Sequence, residues 1–260
     1  MKTLHELRNE IEKTQVIILA GGAGKRLGLP DTPKALVKVA GETLIEREIK
    51  LYSNCGFKNF KILIGHLGEK IKKYLEDGSK LGVNIEYSED PPVKKVGKGK
   101  ALKHALENGV IERDRRGIIT FPDDLKLDKY LPIKFIAHHL YGRETYRIWA
   151  SVLLISSTTY PYGVAKVDYN GLVLGFEEKP KIHLPTNIGV CIMEPEAFEL
   201  VIKEIDINAP KSIEFEATIL PKIAQMKKLY SMTIQGDDKT TWIPINTLKE
   251  LEYAKTILTK

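Results

Sequence analysis

The sequence predicts an α/β fold, with a mostly parallel central sheet and helices packed on both of its faces. Three observations carry that expectation. Apolar runs of strand length alternate with amphipathic segments of helix length through the first half of the chain, the rhythm of βαβ units. The runs 16–20 and 117–121 lack the polar alternation of half-exposed strands and read as buried on both faces. The first ends in Gly21-Gly22 and the second in Pro122-Asp123-Asp124. In parallel sheets ligands bind outside such carboxyl ends, so these two segments are expected to face one cleft.

The elements follow in order. Leu4, Leu7 and Ile11 stand at helical spacing among charges, which makes residues 1–14 an N-terminal amphipathic helix. The strand 16–20 follows, then a helix over 42–55 with Leu44, Ile45, Ile49 and Leu51 at helical intervals and Gly56 as its stop. A strand at 60–64, a helix at 68–76, a strand at 83–87 and a helix at 98–108 ended by Gly109 continue the alternation to the strand 117–121. Beyond it the texture changes. Strands are expected at 147–155, 163–168, 173–177 and 188–193, with the turn Asp168-Tyr169-Asn170-Gly171 between two of them. Helices near 195–204, 216–226 and 248–258 complete the chain, with no internal repeat and no low-complexity linker.

Composition narrows the function classes. With 260 residues and 43% apolar content the chain can build its core without disulfides or metals. No apolar run approaches membrane-spanning length, and the opening lacks the apolar segment of a secretory signal. Cys55 and Cys191 read as free buried thiols in a reducing compartment, so a cytoplasmic protein is expected. The net charge of +6 favours an anionic partner. The cations are interleaved with acids, and no basic block carries the aromatic spacing of a nucleic-acid module. Neither nucleic acid nor membrane is expected as partner, and bulk charge points toward phosphates and no further. The run Lys70–Lys73 reads as a solvated helix face, and His138-His139 lies in an amphipathic helix where partial burial or exposure is expected. Ser156-Ser157 has no His or Asp context for nucleophilic catalysis.

The loop Leu19-Ala20-Gly21-Gly22-Ala23-Gly24-Lys25-Arg26-Leu27 carries the chemistry. It is not a P-loop: Arg26 follows Gly24-Lys25, and no glycine stands five residues before Gly24. It is not a dinucleotide fingerprint either, because Leu27 takes the third glycine position and Glu42 opens a helix. Gly21, Gly22 and Gly24 let backbone N–H groups close around a triphosphate. Arg26 can grip phosphate oxygens as a fork, and Lys34, after Pro33, can supply a point charge.

This loop, with its Pro33-Lys34 pair, resembles the signature of the sugar nucleotidyltransferases, and the resemblance runs along nearly the whole chain. It implies a Rossmann-like, GT-A-like sheet with an extra sugar-binding β subregion. Residues 1–260 would form one domain, with 15–140 as nucleotide-binding half and 141–260 as sugar-phosphate-binding half. No C-terminal left-handed β-helix is expected. Nucleotide contacts are implied at Leu19, Ala20, Gly21, Gly22, Gly24 and Lys25. The stretch Val96–Leu106 is similar to the family's base-reading segment, which adds Gly97 and Lys98 and the N–H groups of the helix they open. In the stretch ITFPDDL, Asp123 stands where the family binds Mg2+, with Asp124 as the nearby alternative. The closing stretch TWIPINTLKEL puts Pro244 at the usual second ligand, which passes that role to the amide oxygen of Asn246. Gly163, Glu178, Lys179 and Asn187 match the segments that hold the sugar phosphate.

The implied reaction is NTP plus sugar 1-phosphate giving NDP-sugar and pyrophosphate, dependent on Mg2+. The attacking phosphate is already largely dianionic at neutral pH, so no general base is needed. Lys179 is assigned to the attacking phosphate, Lys34 with Mg2+ to the α-phosphate, and Arg26 to the leaving pyrophosphate. Two alternatives stay open: a cytidylyl- or guanylyltransferase acting on a polyol phosphate or mannose 1-phosphate, and a non-catalytic sugar-nucleotide sensor. The second draws on Lys25 and Lys98, where the family commonly has Thr, and on Pro244. A homo-oligomer is compatible with all of these.

Overall fold

Val16, Ile17 and Ile18 are wholly buried, and at two residues per repeat they must face opposite sides of a sheet. A computed structural model describes residues 3–22, 24 and 27–258 and shows that arrangement. In chain order the first half holds α1 (Leu4–Lys13), β1 (Gln15–Leu19), β2 (Lys38–Val39), β3 (Glu42–Thr43), α2 (Leu44–Ser53), β4 (Asn59–Ile64), α3 (Gly68–Leu75), β5 (Asn84–Glu89), α4 (Gly97–Glu107), β6 (Gly117–Thr120), β7 (Asp124–Lys126) and α5 (Leu131–Tyr146). The second holds β8 (Ala150–Ile155), β9 (Thr158–Thr159), β10 (Val164–Val167), β11 (Val173–Glu177), β12 (Lys181–Ile182), β13 (Thr186–Met193), α6 (Pro195–Glu204), α7 (Phe215–Thr218), α8 (Leu220–Gln225), β14 (Leu229–Ile234), β15 (Trp242–Pro244) and α9 (Leu248–Leu258).

Seven strands form the central sheet in the order β14-β8-β13-β6-β1-β4-β5. Every neighbouring pair is parallel except the two made by β13, which runs against both β6 and β8. One edge of the sheet therefore collects the carboxyl ends of β1, β4, β5, β6, β8 and β14 and the start of β13. All sequence-expected site segments that the structure describes open onto this edge.

Val16 and Ile18 pack with Ile45 and Ile49 of α2, Ile71 of α3 and Phe135 and Ile136 of α5 on one face. Ile17 and Leu19 pack with Leu102 of α4, Phe198 of α6 and Phe215 of α7 on the other. Fully burying each such side chain is worth about 1.5–3 kcal/mol, which makes the β1 alternation the main anchor of the two layers. A smaller cluster joins Leu27, Val37, Leu44, Leu125, Ile243 and Leu251, fastening α9 to the loop after β1.

Three expected boundaries are corrected. The helix expected over 42–55 begins at Leu44, because Thr43 caps it: Glu46 N–H donates to Thr43 Oγ1 at 3.2 Å and Thr43 N–H to Glu46 Oε2 at 3.1 Å. Glu42-Thr43 instead pairs with Lys38-Val39 as a two-residue hairpin. The helix expected over 216–226 is broken into α7 and α8, since Pro221 lacks the N–H that would continue the ladder. The strand expected from 147 starts at Ala150, because Arg147 ends α5 in a left-handed conformation. His139 is fully buried rather than partly so, and its two ring nitrogens meet Ser151 Oγ and Glu194 Oε1, each at 2.8 Å. Cys55 and Cys191 are free and buried, as expected. Among the described residues no helix is long and apolar enough to cross a membrane.

Beneath the end of β6 lies a buried ion pair. Lys126 Nζ donates to Glu48 Oε1 at 2.7 Å, to Thr120 Oγ1 at 3.0 Å and to the Phe121 carbonyl at 2.8 Å. Their side chains are 1% and 4% exposed for Lys126 and Glu48. Removing one partner strands the other charge, so Lys126→Ala is expected to cost about 3–5 kcal/mol. Urea unfolding will measure that loss, and a Glu48→Gln, Lys126→Met pair is expected to recover most of it.

Candidate active site

Ala20 follows strand β1, its N–H donating to the Leu63 carbonyl at 2.8 Å, and the chain then leaves the sheet as the glycine loop. Leu19, Ala20, Gly21 and Gly22 form one wall of a cavity of about 340 Å3. Gly97 and Lys98, at the start of α4, line the same cavity, as do Lys34 and Asp123. Gly24 lies against Lys34, where an added Cβ would stand 3.0 Å from Lys34 Cβ. Six expected nucleotide contacts, Leu19, Ala20, Gly21, Gly22, Gly97 and Lys98, thus share one cavity with Lys34 and Asp123. Lys25 and Arg26 lie outside the described residues.

Lys34, Asp123 and Asn246 converge on one point. The Lys34 ammonium is paired with Asp123 Oδ2 and donates to Asn246 Oδ1 at 3.0 Å. Two local structures bring Asn246 there. Ile245 N–H donates to the Asp123 carbonyl at 2.8 Å, continuing the β15–β7 ribbon in which Pro244 pairs with Asp124. Glu250 then accepts from the N–H groups of Asn246 and Thr247, at 2.7 and 2.8 Å, fixing the turn into α9. Asp124 stands beside this point, its carboxyl raised to about 7 by burial first and the charge of Asp123 second.

Lys98 lines the cavity with its charge already partnered. Its ammonium pairs with Glu216 and, at 3.5 Å, with Glu214, and lies 5.0 Å from the Phe121 ring centre. The first N–H groups of α4 are also taken: Lys98 N–H donates to Glu214 Oε2 at 3.4 Å and Gly99 N–H to the Ile213 carbonyl at 2.8 Å. The helix start is clasped by the 213–216 segment rather than open to a ligand. Gly97 makes the clasp feasible, because φ is +74° and a Cβ would stand 2.5 Å from the Ile213 carbonyl oxygen.

The expected sugar-phosphate residues lie on the same edge but outside the cavity lining. Gly163 and Glu178 adjoin, a Cβ on Gly163 standing 2.8 Å from Glu178 Oε2. Both flank the β10–β11 hairpin and are exposed, as is Lys179, whose backbone has φ +52°. Asn187 opens β13 and accepts from its own Gly189 N–H at 3.0 Å, and a Cβ on Gly189 would lie 3.6 Å from Asp124 Oδ2.

The family model described as Nucleotidyl transferase matches residues 15–260. The chain belongs to the nucleotidyl transferase family.

Its relatives include the mannose-1-phosphate guanylyltransferase catalytic subunit beta of Drosophila melanogaster, 27% identical over 247 residues, 91% of this chain and 60% of the relative. A UTP–glucose-1-phosphate uridylyltransferase of Synechocystis is 30% identical over 203 residues, 72% of this chain and 50% of that protein. The chain thus spans about 60% or less of the length of these nucleotidyl transferases. Among solved structures, a Bacillus anthracis protein assigned as a glucose-1-phosphate thymidylyltransferase, crystallised with sucrose, superposes with a TM-score of 0.70 at 23% identity, over 94% of both chains. That likeness bears on the fold.

The donor set of this nucleotidyl transferase suits a hard cation. Asp123 and Asn246 offer oxygens to one point that already holds a positive charge, and Mg2+ takes one or two carboxylates beside water and substrate phosphate. Among the described residues no cluster of three or more His, Cys, Asp or Glu competes for the role. Two acidic lining residues escaped the sequence reading, Asp90 and Glu214. Asp90 had a usable signal, an acidic residue at the carboxyl end of a parallel strand, whereas Glu214 is brought in by tertiary contact alone. Gly97→Ala is expected to destabilise the protein by roughly 1–3 kcal/mol, the cost of a disallowed backbone. Thermal unfolding checks the loss, and nucleotide binding should weaken with it because the clasp at α4 opens.

Proposed function

We propose that the chain transfers a nucleotidyl group from an NTP to a sugar 1-phosphate, releasing pyrophosphate and forming an NDP-sugar. The observation that carries this reading is the convergence of Lys34, Asp123 and Asn246 at the end of a glycine-walled cavity, on the edge where parallel strands end. The family and the named activities of the relatives support it.

The residues have these roles. The glycine loop offers backbone N–H groups and close approach to the triphosphate. Lys34, held by Asp123 in the free protein, exchanges that partner for the α-phosphate and stabilises the charge that builds up there. Arg26 takes the leaving pyrophosphate. Lys179 neutralises the attacking sugar phosphate, while Glu178 and Asn187 accept hydrogen bonds from sugar hydroxyls and Gly163 leaves room for the ring. Asp123 and Asn246 would hold Mg2+, which supplies charge neutralisation on the phosphates. The described site has no histidine, and none is required, since the nucleophile is already ionised. Positioning and electrostatic complementarity then carry the rate.

Pyrophosphate release from each NTP against a panel of sugar 1-phosphates tests the reaction. Turnover should require a divalent metal, vanish with EDTA and return with Mg2+. Lys34→Ala and Lys179→Ala should each lower kcat by about 10²-fold, the scale of one lost transition-state charge donor. Nucleotide binding with no pyrophosphate from any pair would identify a sensor instead.

A further inference from the structure

Lys34 and Lys98, which line the cavity, are each paired with a carboxylate. Lys100, in the first turn of α4, meets none among the described residues. Its side chain is wholly buried, and its ammonium donates to the Lys95 carbonyl at 2.9 Å and to the Ala209 carbonyl at 2.6 Å. Two aspects of this placement oppose folding. An ammonium removed from water without a counter-charge carries a large desolvation penalty, and the first turn is the end of a helix whose dipole repels a cation. A methionine would fill the same space without either disadvantage. What it could not do is draw two carbonyl oxygens together.

The two carbonyls belong to different stretches of chain. Lys95 lies in the connection from β5 to α4, which contributes Asp90, Val96 and Gly97 to the cavity lining. Pro91 and Pro92 in that connection have no N–H to offer, and Val93 N–H turns back to the Pro91 carbonyl at 2.7 Å. Ala209 lies in the 205–213 strap between α6 and α7. The strap is stitched to α4 by Gly99 N–H, which donates to the Ile213 carbonyl at 2.8 Å, and by Lys103, whose ammonium donates to the Ile202 and Ile205 carbonyls at 2.7 and 2.8 Å. It meets the connection at Val96, whose carbonyl accepts from Ile213 N–H at 3.2 Å. Lys100 is the second pin at that seam, one residue away, and it works from inside the helix. Bonds from a charged donor are stronger than neutral ones, which suits a seam with so few backbone partners.

We propose that Lys100 is a positioning residue for the nucleotide: it touches no ligand, and it holds the 95–97 wall in the place that a nucleotide in the cavity requires. This rests on the reading of the cavity as an NTP site. A wall fixed in advance spares the ligand the entropy of ordering it. Lys103 has the same chemistry on the same helix, two bonds to carbonyls of the α6 end, but does not reach the connection. It separates positioning from general stitching.

Lys100→Met and Lys103→Met are compared with the wild type by equilibrium titration with ATP, CTP, GTP, UTP and dTTP, each with Mg2+, and the tightest binder is carried into kinetics. Lys100→Met should weaken that nucleotide about tenfold, the scale of one lost bond to a charged group. Its KM for the nucleotide should rise in step while kcat stays within about threefold, because Lys34 and Asp123 are untouched. Amide hydrogen exchange should quicken at Gly99 and Ile213 and stay unchanged at Ala20. Lys103→Met should keep the wild-type nucleotide affinity, whatever its melting temperature. A folded Lys100→Met with wild-type affinity, or equal losses of affinity in both variants, would overturn the proposal. So would unprotected Gly99 and Ile213 amides in the free wild type, an outcome that needs no variant to fold. The expected loss of affinity, without pyrophosphate release from any sugar 1-phosphate, would sink the transferase reading and leave the role of Lys100 standing. No saturable binding of any nucleotide by the wild type would overturn both.

Discussion

The Lys34 ammonium holds three stretches of chain that are far apart in sequence: the turn after the glycine loop, the end of β6 and the approach to α9. Around it the strand end is crowded with acid, Asp123 and Asp124 above and Glu48 below. Like charges this close oppose one another, and the carboxyl of Asp124 is raised by burial first and by the charge of Asp123 second. Lys34 and Lys126 are the two cations that hold the corner together, one at the cavity and one beneath it. The lower pair is sealed from water and structural. The upper pair is partly exposed, at 13% and 27% for Lys34 and Asp123, and so is open to exchange with an incoming phosphate. On the proposed reading, the division between a fixed and an exchangeable cation would let this acid-rich corner serve an anionic substrate.

Most of the sheet was legible because its strands are buried on both faces and read as unbroken apolar runs. The first strand, the helices ending at Glu204 and Leu258, and the Asp168–Gly171 turn all carry local signals strong enough to survive packing. What escaped depends on tertiary context. Strand β14 is polar in alternation and lies at the sheet edge, and β7 and β15 are three-residue segments that exist only as each other's partner. The left-handed Arg147 and the break at Pro221 decide boundaries that periodicity alone blurs. Within the site, the glycine loop, Lys34 and Asp123 stood out because several residue types recur at fixed offsets. Asn246 was reachable only through the resemblance, and the structure sets its amide oxygen within hydrogen-bond distance of Lys34. Sequence shows Lys98 as a cation at a helix start, and not the two glutamates that engage its ammonium.

The reversal of β13 has a topological role. A strand running against β6 and β8 begins where they end, so Asn187 and the β9–β12 excursion are delivered to the working edge without a further crossover. The cost is that this wall hangs from the sheet by short ribbons instead of being built into it.

Every residue of the paired strands β10 and β11 is exposed, including Val164, Val173, Leu174 and Phe176. An isolated two-stranded hairpin is marginally stable in water, so this segment belongs to the low end of the molecule's local stability, while β1 and its neighbours define the global value. Glu178 and Lys179 are mounted on the part that opens most readily. Whatever binds there does work of ordering as well as of recognition, and its affinity is linked to the protection of the hairpin amides from hydrogen exchange. On the proposed reading the two halves of the site are thereby thermodynamically unlike: the nucleotide would meet a surface already formed, and the second substrate would help to make its own.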